Sequence, residues 1–287
     1  MREIVWRIGD PSGTREESPS DAAEARAALE AGNADFAALF DAEGDVQRIM
    51  QLAPSDLGVS ETGEAPQQRP FATLISCADA RVPVELLTNQ QANDLFVVRV
   101  AGGVLSEGAL GSLDFAVGNL PTVRLTVSLG HTRCGAVAAA VDTYLDPPAY
   151  LALGHSRPLL ALVQNLLGSV RLADHALHEV HGAGVDQRGG YAAALNELSV
   201  VANAGANASA IAGRISRRAE LADPVVTTVF GVYDLVSRQI GLPGSTTDWT
   251  PGLVDAPPDG PAFVRLLREV AFGPRLTRLL DEAQDEA

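Results

Sequence analysis

Short apolar runs bounded by turn residues alternate along this chain with longer segments whose apolar residues recur at helical spacing. That alternation constrains the fold more than any other feature. "PFATLISC" (70–77), "DLFVVRV" (94–100) and "TVRLTVSLG" (122–130) read as strands, and "PVVTTVFGVYDLVSRQIGL" (224–242) as a strand, a turn and a second strand or its extension. Between them, "SEGALGSLDFAVGNL" (106–120) and "GAVAAAVDTYL" (135–145) have helical character. Strands joined through helices need crossover connections. The expected fold is therefore α/β, with a mainly parallel central sheet of about four to five strands flanked by helices.

Around this centre, residues 1–20 are polar and read as a loosely ordered leader. A helix is expected from about Pro19 to Phe40, capped by Ser20 or Asp21 with acids in its first turn. Residues 51–69 read as a polar loop. The stretch from about Pro158 to Ala206 is helical, interrupted by "HGAGVDQRGG", and "AGRISRRAELA" continues it. Beyond Gly244, "FVRLLREV" and "RLTRLLDEA" form helices whose apolar stripes must cover this subunit or a neighbour. The chain is expected to divide into a leader (1–20), a central α/β domain (21–243) and a C-terminal helical extension (244–287).

Composition narrows the partners. The chain has 287 residues, long enough for a large core, and a net charge of −15, which disfavours nucleic acid and anionic membranes. Every basic residue is arginine, a pattern of GC-rich coding rather than of mechanism. The amino end lacks a secretory apolar run, and no stretch of about 18 apolar residues occurs, so a cytoplasmic, reducing location is expected. There the two cysteines are metal ligands, catalytic groups or buried hydrophobes rather than a disulfide.

Both cysteines follow apolar runs. In "SCADARVPVELL", Cys77, Asp79 and Arg81 are each two apart and point the same way if the strand continues. In "SLGHTRCGAV", His131 and Cys134 are three apart, which places them on one face of a first helical turn whose N-terminus favours a thiolate. Two thiolates and an imidazole suit zinc and leave a fourth position for water or substrate. Asp79 could close that position, and a bidentate Arg81 would hold it off. A closed structural zinc site usually draws on short knuckles, whereas these pieces are more than fifty residues apart.

"CADAR" and "HTRC", with "ALEAGNADF", "DLFVVRVAGG", "GALGSLDFAVGNL" and "VFGVYDLVSRQIG" in order, resemble the β-class carbonic anhydrase family over roughly residues 25 to 242. The resemblance implies a zinc lyase hydrating carbon dioxide to bicarbonate. Cys77, His131 and Cys134 would bind Zn2+, Asp79 and Arg81 would form the catalytic dyad, and Gln68, Val82, Phe96 and Gly135 would line the substrate pocket. It also implies a homodimer or higher homo-oligomer. Gly103 replaces a more usual asparagine, and Leu74 stands where some members carry a tryptophan associated with a regulatory bicarbonate site, so the open form is expected. Two rivals share these motifs: a carbon disulfide or carbonyl sulfide hydrolase, and a non-catalytic zinc or bicarbonate binder. His175, His178 and His181 cannot converge on one helix and read as a polar face or subunit contact.

Overall fold

The computed structural model describes residues 2–9, 18–41, 44–60, 63–217 and 226–282. Its strands are β1 (Arg2–Ile8), β2 (Val46–Leu52), β3 (Ala72–Ser76), β4 (Leu95–Arg99), β5 (Leu125–His131), β6 (Thr227–Tyr233), β7 (Ile240–Leu242), β8 (Thr250–Pro251) and β9 (Val254–Asp255). The apolar runs become β3 to β6, which lie parallel in the order β4-β3-β5-β6, and antiparallel β7, β8 and β9 complete the sheet. All five positions of β3 are buried, as a strand covered on both faces requires.

Helices α1 (Ala22–Asp41), α2 (Val84–Leu87), α3 (Glu107–Asn119), α4 (Gly135–Leu145), α5 (Pro147–Ala152), α6 (Arg157–His181), α7 (Tyr191–Ser216), α8 (Gly260–Phe272) and α9 (Pro274–Asp281) supply the cover. The Asp21 carboxylate accepts the Glu24 backbone N–H at 2.8 Å at the start of α1, and Glu24 reaches back to the Ser20 N–H at 2.8 Å, a reciprocal cap. On one side of the sheet, Leu74, Leu125, Val127 and Leu129 pack with Ala25 and Leu29 of α1. On the other, α4, α6, α7, α8 and α9 form the larger cluster, which contains both cysteines. Alternation along β5 produces this division, since Gly130 faces Val200 of α7 while Leu129 faces α1.

Two expectations change. The leader contains β1, which pairs in parallel with β2 from Arg2↔Val46 to Ile8↔Leu52, with α1 as the crossover between them. The expected loop at 51–69 begins inside β2 and contains a 3-10 turn, Pro54–Leu57. Of "AGRISRRAELA", α7 takes the part up to Ser216; positions 218–225 lie outside the described residues. The C-terminal helices cover this chain's own core through Phe263, Leu267, Leu276 and Leu280. Among the described residues, no helix is long and apolar enough to cross a membrane.

Candidate metal centre

The strand order fixes where the chemistry can sit. Chain leaving β3 crosses to β4 on one side, while chain leaving β5 crosses toward β6 on the other. Neighbouring strands whose connections diverge open a crevice at their carboxyl ends. Ser76 pairs with Leu129, so Cys77, one residue past β3, lies beside the last residues of β5, of which His131 is the final one. Cys134 is not on a shared helical turn with His131. It is the N-cap residue of α4, brought back toward β5 by a tight turn in which Arg133 takes a φ of 56°.

These three side chains converge. Their ligand atoms lie within 4.8 Å of one another, and all three residues are buried. The sulfurs are 3.8 Å apart, far beyond the ~2.05 Å of a disulfide. His131 Nδ1 donates to the Thr132 carbonyl at 3.0 Å, so Nε2 carries the lone pair, and among the described residues Nε2 is buried with no hydrogen-bond partner. Cys77 Sγ accepts backbone N–H groups from Asp79 at 3.4 Å and Gly102 at 3.3 Å. The Cys134 thiol, then His131 and these N–H groups, outweigh burial and draw the Cys77 pKa down to about 4. Cys134 is pushed up by its hydrogen bond with Cys77, by burial and by the neighbouring charge. Both sulfurs ionise together only beside a cation, which is the behaviour of a metal-ligand set.

Asp79 and Arg81 meet by a turn, not by continued strand. β3 ends at Ser76, and the Val82 N–H donates to the Asp79 carbonyl at 3.0 Å. Arg81 gives its backbone N–H and Nε to Oδ1 at 2.9 and 3.0 Å and its terminal nitrogen to Oδ2 at 2.7 Å. This fork holds the Asp79 carboxyl well below the usual carboxylate range. Asp79 Oδ2 lies 3.8 Å from His131 Nε2, at the edge of the cluster. Sequence reasoning passed over Arg99, whose guanidinium donates to the Cys77 carbonyl at 3.0 Å and also to the Asp79 carbonyl; "RVAGG" was its signal. The Gly103 departure is accommodated by α7, because Asn203 and Asn207 donate to the Gly102 and Gly103 carbonyls at 2.7 and 2.9 Å.

The four expected pocket residues separate. Val82 is fully buried at the foot of the Asp79 turn, and Gly135 is exposed beside Cys134 with open space around it. Phe96 pairs with Thr73, near the start of β3, and stacks near Phe115 with centroids 6.3 Å apart. Gln68 is exposed and precedes β3. Both therefore lie toward the amino end of the strands, away from the crevice in their own chain. A cavity of about 190 Å³ lies on the α1 side of the sheet, lined by Leu29, Leu74, Val127 and Leu129. It does not include the cysteines.

The carbonic anhydrase family model matches residues 72–214. Carbonic anhydrase 2 of Mycobacterium tuberculosis is 44% identical over 93 residues, covering 32% of this chain and 44% of that protein. The carbonic anhydrase of Mycolicibacterium smegmatis is 41% identical over 116 residues, covering 40% and 50%. The chain thus spans about half or less of the length of these relatives. Among solved structures, the Coccomyxa β-carbonic anhydrase in complex with acetazolamide aligns at 20% identity and a TM-score of 0.48, covering 63% of this chain and 73% of that one. On the family match over residues 72–214, which carry Cys77, Asp79, Arg81, His131 and Cys134, together with the mycobacterial relatives, the chain belongs to the β-class carbonic anhydrase family.

Proposed function

We propose that the chain binds one zinc ion through Cys77, His131 and Cys134 and catalyses the reversible hydration of carbon dioxide to bicarbonate. The observation that carries this reading is His131 Nε2, buried beside two sulfurs with no hydrogen-bond partner among the described residues, while Asp79 is locked to Arg81 at the rim. The donor set fits zinc: two bonds of about 2.3 Å at a tetrahedral angle set sulfurs about 3.8 Å apart, and the two sulfurs here are 3.8 Å apart. When bound, zinc supplies the polarisation that brings the pKa of water from 15.7 to about 7.

The chain's own residues do the rest. Ionised Asp79 is an acceptor only, so it takes a hydrogen bond from the attacking oxygen and aims its lone pair at the carbon of carbon dioxide. Arg81 spends its fork on Asp79, which keeps that carboxylate from becoming a fourth ligand. Arg99 holds the Cys77 and Asp79 carbonyls, fixing the turn that carries both side chains. Exposed Arg81, Arg133 and Gly135 border the opening, through which the released proton passes to solvent or buffer. Two thiolate ligands donate more charge than imidazoles, which favours a rate that rises toward alkaline pH.

The working assembly is a homodimer or larger homo-oligomer in the cytoplasm. β4 is an edge strand with half-exposed Leu95, Phe96, Val97 and Val98, and Phe115 beside it is 48% exposed, an edge suited to a second copy. The buried free cysteines suit a reducing compartment. Stopped-flow carbon dioxide hydration from pH 6.5 to 9 tests the activity. Hydration by the zinc-loaded protein that is lost in Asp79→Ala supports it, and full zinc occupancy with no hydration at any pH overturns it.

A further inference from the structure

The ligand loop is tied to the far end of the chain. Thr132, between His131 and Arg133, is 1% exposed. Its carbonyl accepts from His131 Nδ1, its N–H donates to the Tyr233 carbonyl at 3.0 Å, and its hydroxyl donates to Asp234 Oδ1 at 3.1 Å while accepting the Leu235 N–H at 3.0 Å. Asp234 is 2% exposed. The same Oδ1 accepts from Arg275 at 3.0 Å, and Oδ2 accepts the Ser237 N–H at 2.9 Å. Arg275 Nε lies 2.7 Å from Oε1 of buried Glu197 on α7, and the guanidinium sits 4.9 Å from the Trp249 ring centroid. One cation thus serves two buried carboxylates, of which Asp234 hydrogen-bonds to the ligand loop.

The seat of Arg275 is fixed by backbone contact. A Cβ on Gly190 would lie 1.7 Å from the Leu279 carbonyl oxygen, and one on Gly273 would lie 2.1 Å from the Gly244 carbonyl oxygen. Both ends of α9 therefore approach the body closer than any side chain permits. Leu276 and Leu280 are buried between those points. α9 lies outside the 72–214 segment matched to the family.

We propose that Arg275 is a positioning residue for the metal ligand His131, acting through Asp234 and Thr132; this rests on the zinc reading above. Removing the guanidinium leaves Asp234 buried without its countercharge and loosens its hold on the Thr132 hydroxyl, one of the bonds that position the carbonyl setting the imidazole tautomer and angle. Groups that orient a ligand typically contribute 10–100-fold in metal affinity.

The test measures zinc affinity by competition with a chromogenic chelator, together with the visible spectrum of the cobalt(II)-substituted protein. Arg275→Met is expected to weaken zinc binding about 10–100-fold and to change the cobalt d–d bands, with Arg275→Lys recovering part of both. Arg278→Met, which removes surface pairs with Asp248 at 2.6 Å and Glu282 at 4.0 Å, is expected to leave both unchanged. Thr132→Val cuts the link while leaving the Arg275 pairs in place. It decides the matter if Arg275→Met does not fold, and its effect should not add to that of Arg275→Met. Zinc affinity within twofold of the unaltered protein and an unchanged cobalt spectrum in either folded variant overturn the proposal. Failure of the unaltered protein to bind zinc overturns the zinc reading itself, and the proposal with it.

Discussion

Arg81→Met separates what the Asp79–Arg81 pair does for activity from what it does for stability. The change removes the guanidinium hydrogen bonds at 3.0 and 2.7 Å and leaves the backbone N–H of residue 81 on Oδ1 at 2.9 Å. The Arg81 side chain is 54% exposed, so water screens the pair and its share of stability is at most about 1 kcal/mol. Without Arg81, the depressed Asp79 carboxyl returns toward about 3.9 and remains ionised at neutral pH. Orientation is lost, not charge. A misaimed acceptor costs about 10²-fold in kcat, near 2.7 kcal/mol, so the activity loss should exceed the stability loss. The shape of the pH profile above 6.5 should persist. Below pH about 4 the sign is also fixed: a depressed carboxyl stabilises above its unfolded pKa and loses that contribution as pH falls, so the variant should lose less stability in acid. Stopped-flow hydration, urea unfolding and zinc content on the same samples provide the numbers. A kcat within threefold of the unaltered protein at full zinc occupancy would refute the reasoning, as would a loss matched by unfolding.

Other perturbations follow from the same geometry. Cys77→Ser should lower bound zinc after dialysis from about one per chain to under a tenth, measured by atomic emission; retained stoichiometric zinc would remove Cys77 from the ligand set. Gly190→Ala must push the Leu279 backbone away, and should cost about 1–3 kcal/mol in urea unfolding. An unchanged midpoint would show that α9 is loosely seated. Burial pushes the Glu197 carboxyl up against the pull of Arg275, so between about 4.3 and its raised folded value the folded state holds a proton the unfolded state has released, and this residue's contribution to stability falls across that interval until it becomes the carboxylate that Arg275 pairs. Glu197→Gln should flatten the stability curve just above pH 4.5, and a curve parallel to that of the unaltered protein there would contradict the assignment.

The parallel centre was legible because β3, β5 and β6 are buried on both faces and so read as unbroken apolar runs. β1 and β2 escaped notice because they are half-exposed: "REIVWRI" and "VQRIMQL" mix arginine and glutamine with apolar residues, and Trp6 and Ile8 face solvent. The cysteine and histidine ligands were legible from residue type and position after strands. Their backbone route was not, since the positive φ of Arg133 and the turn after Cys77 leave no periodic signal. Gln68 and Phe96 match the family's pattern, yet they sit toward the opposite edge of the sheet from Cys77 in their own chain, which sequence order alone does not reveal. Arg275 looked like one more arginine on an amphipathic helix. Only the fold brings it to Asp234 and, through Thr132, to His131.

Zinc titration of metal-stripped protein, with carbon dioxide hydration measured at each addition, tests the central claim most directly. The account predicts a rate that climbs in proportion to added zinc and levels off at one ion per Cys77–His131–Cys134 cluster. A rate indifferent to zinc, or full occupancy without hydration, would contradict it.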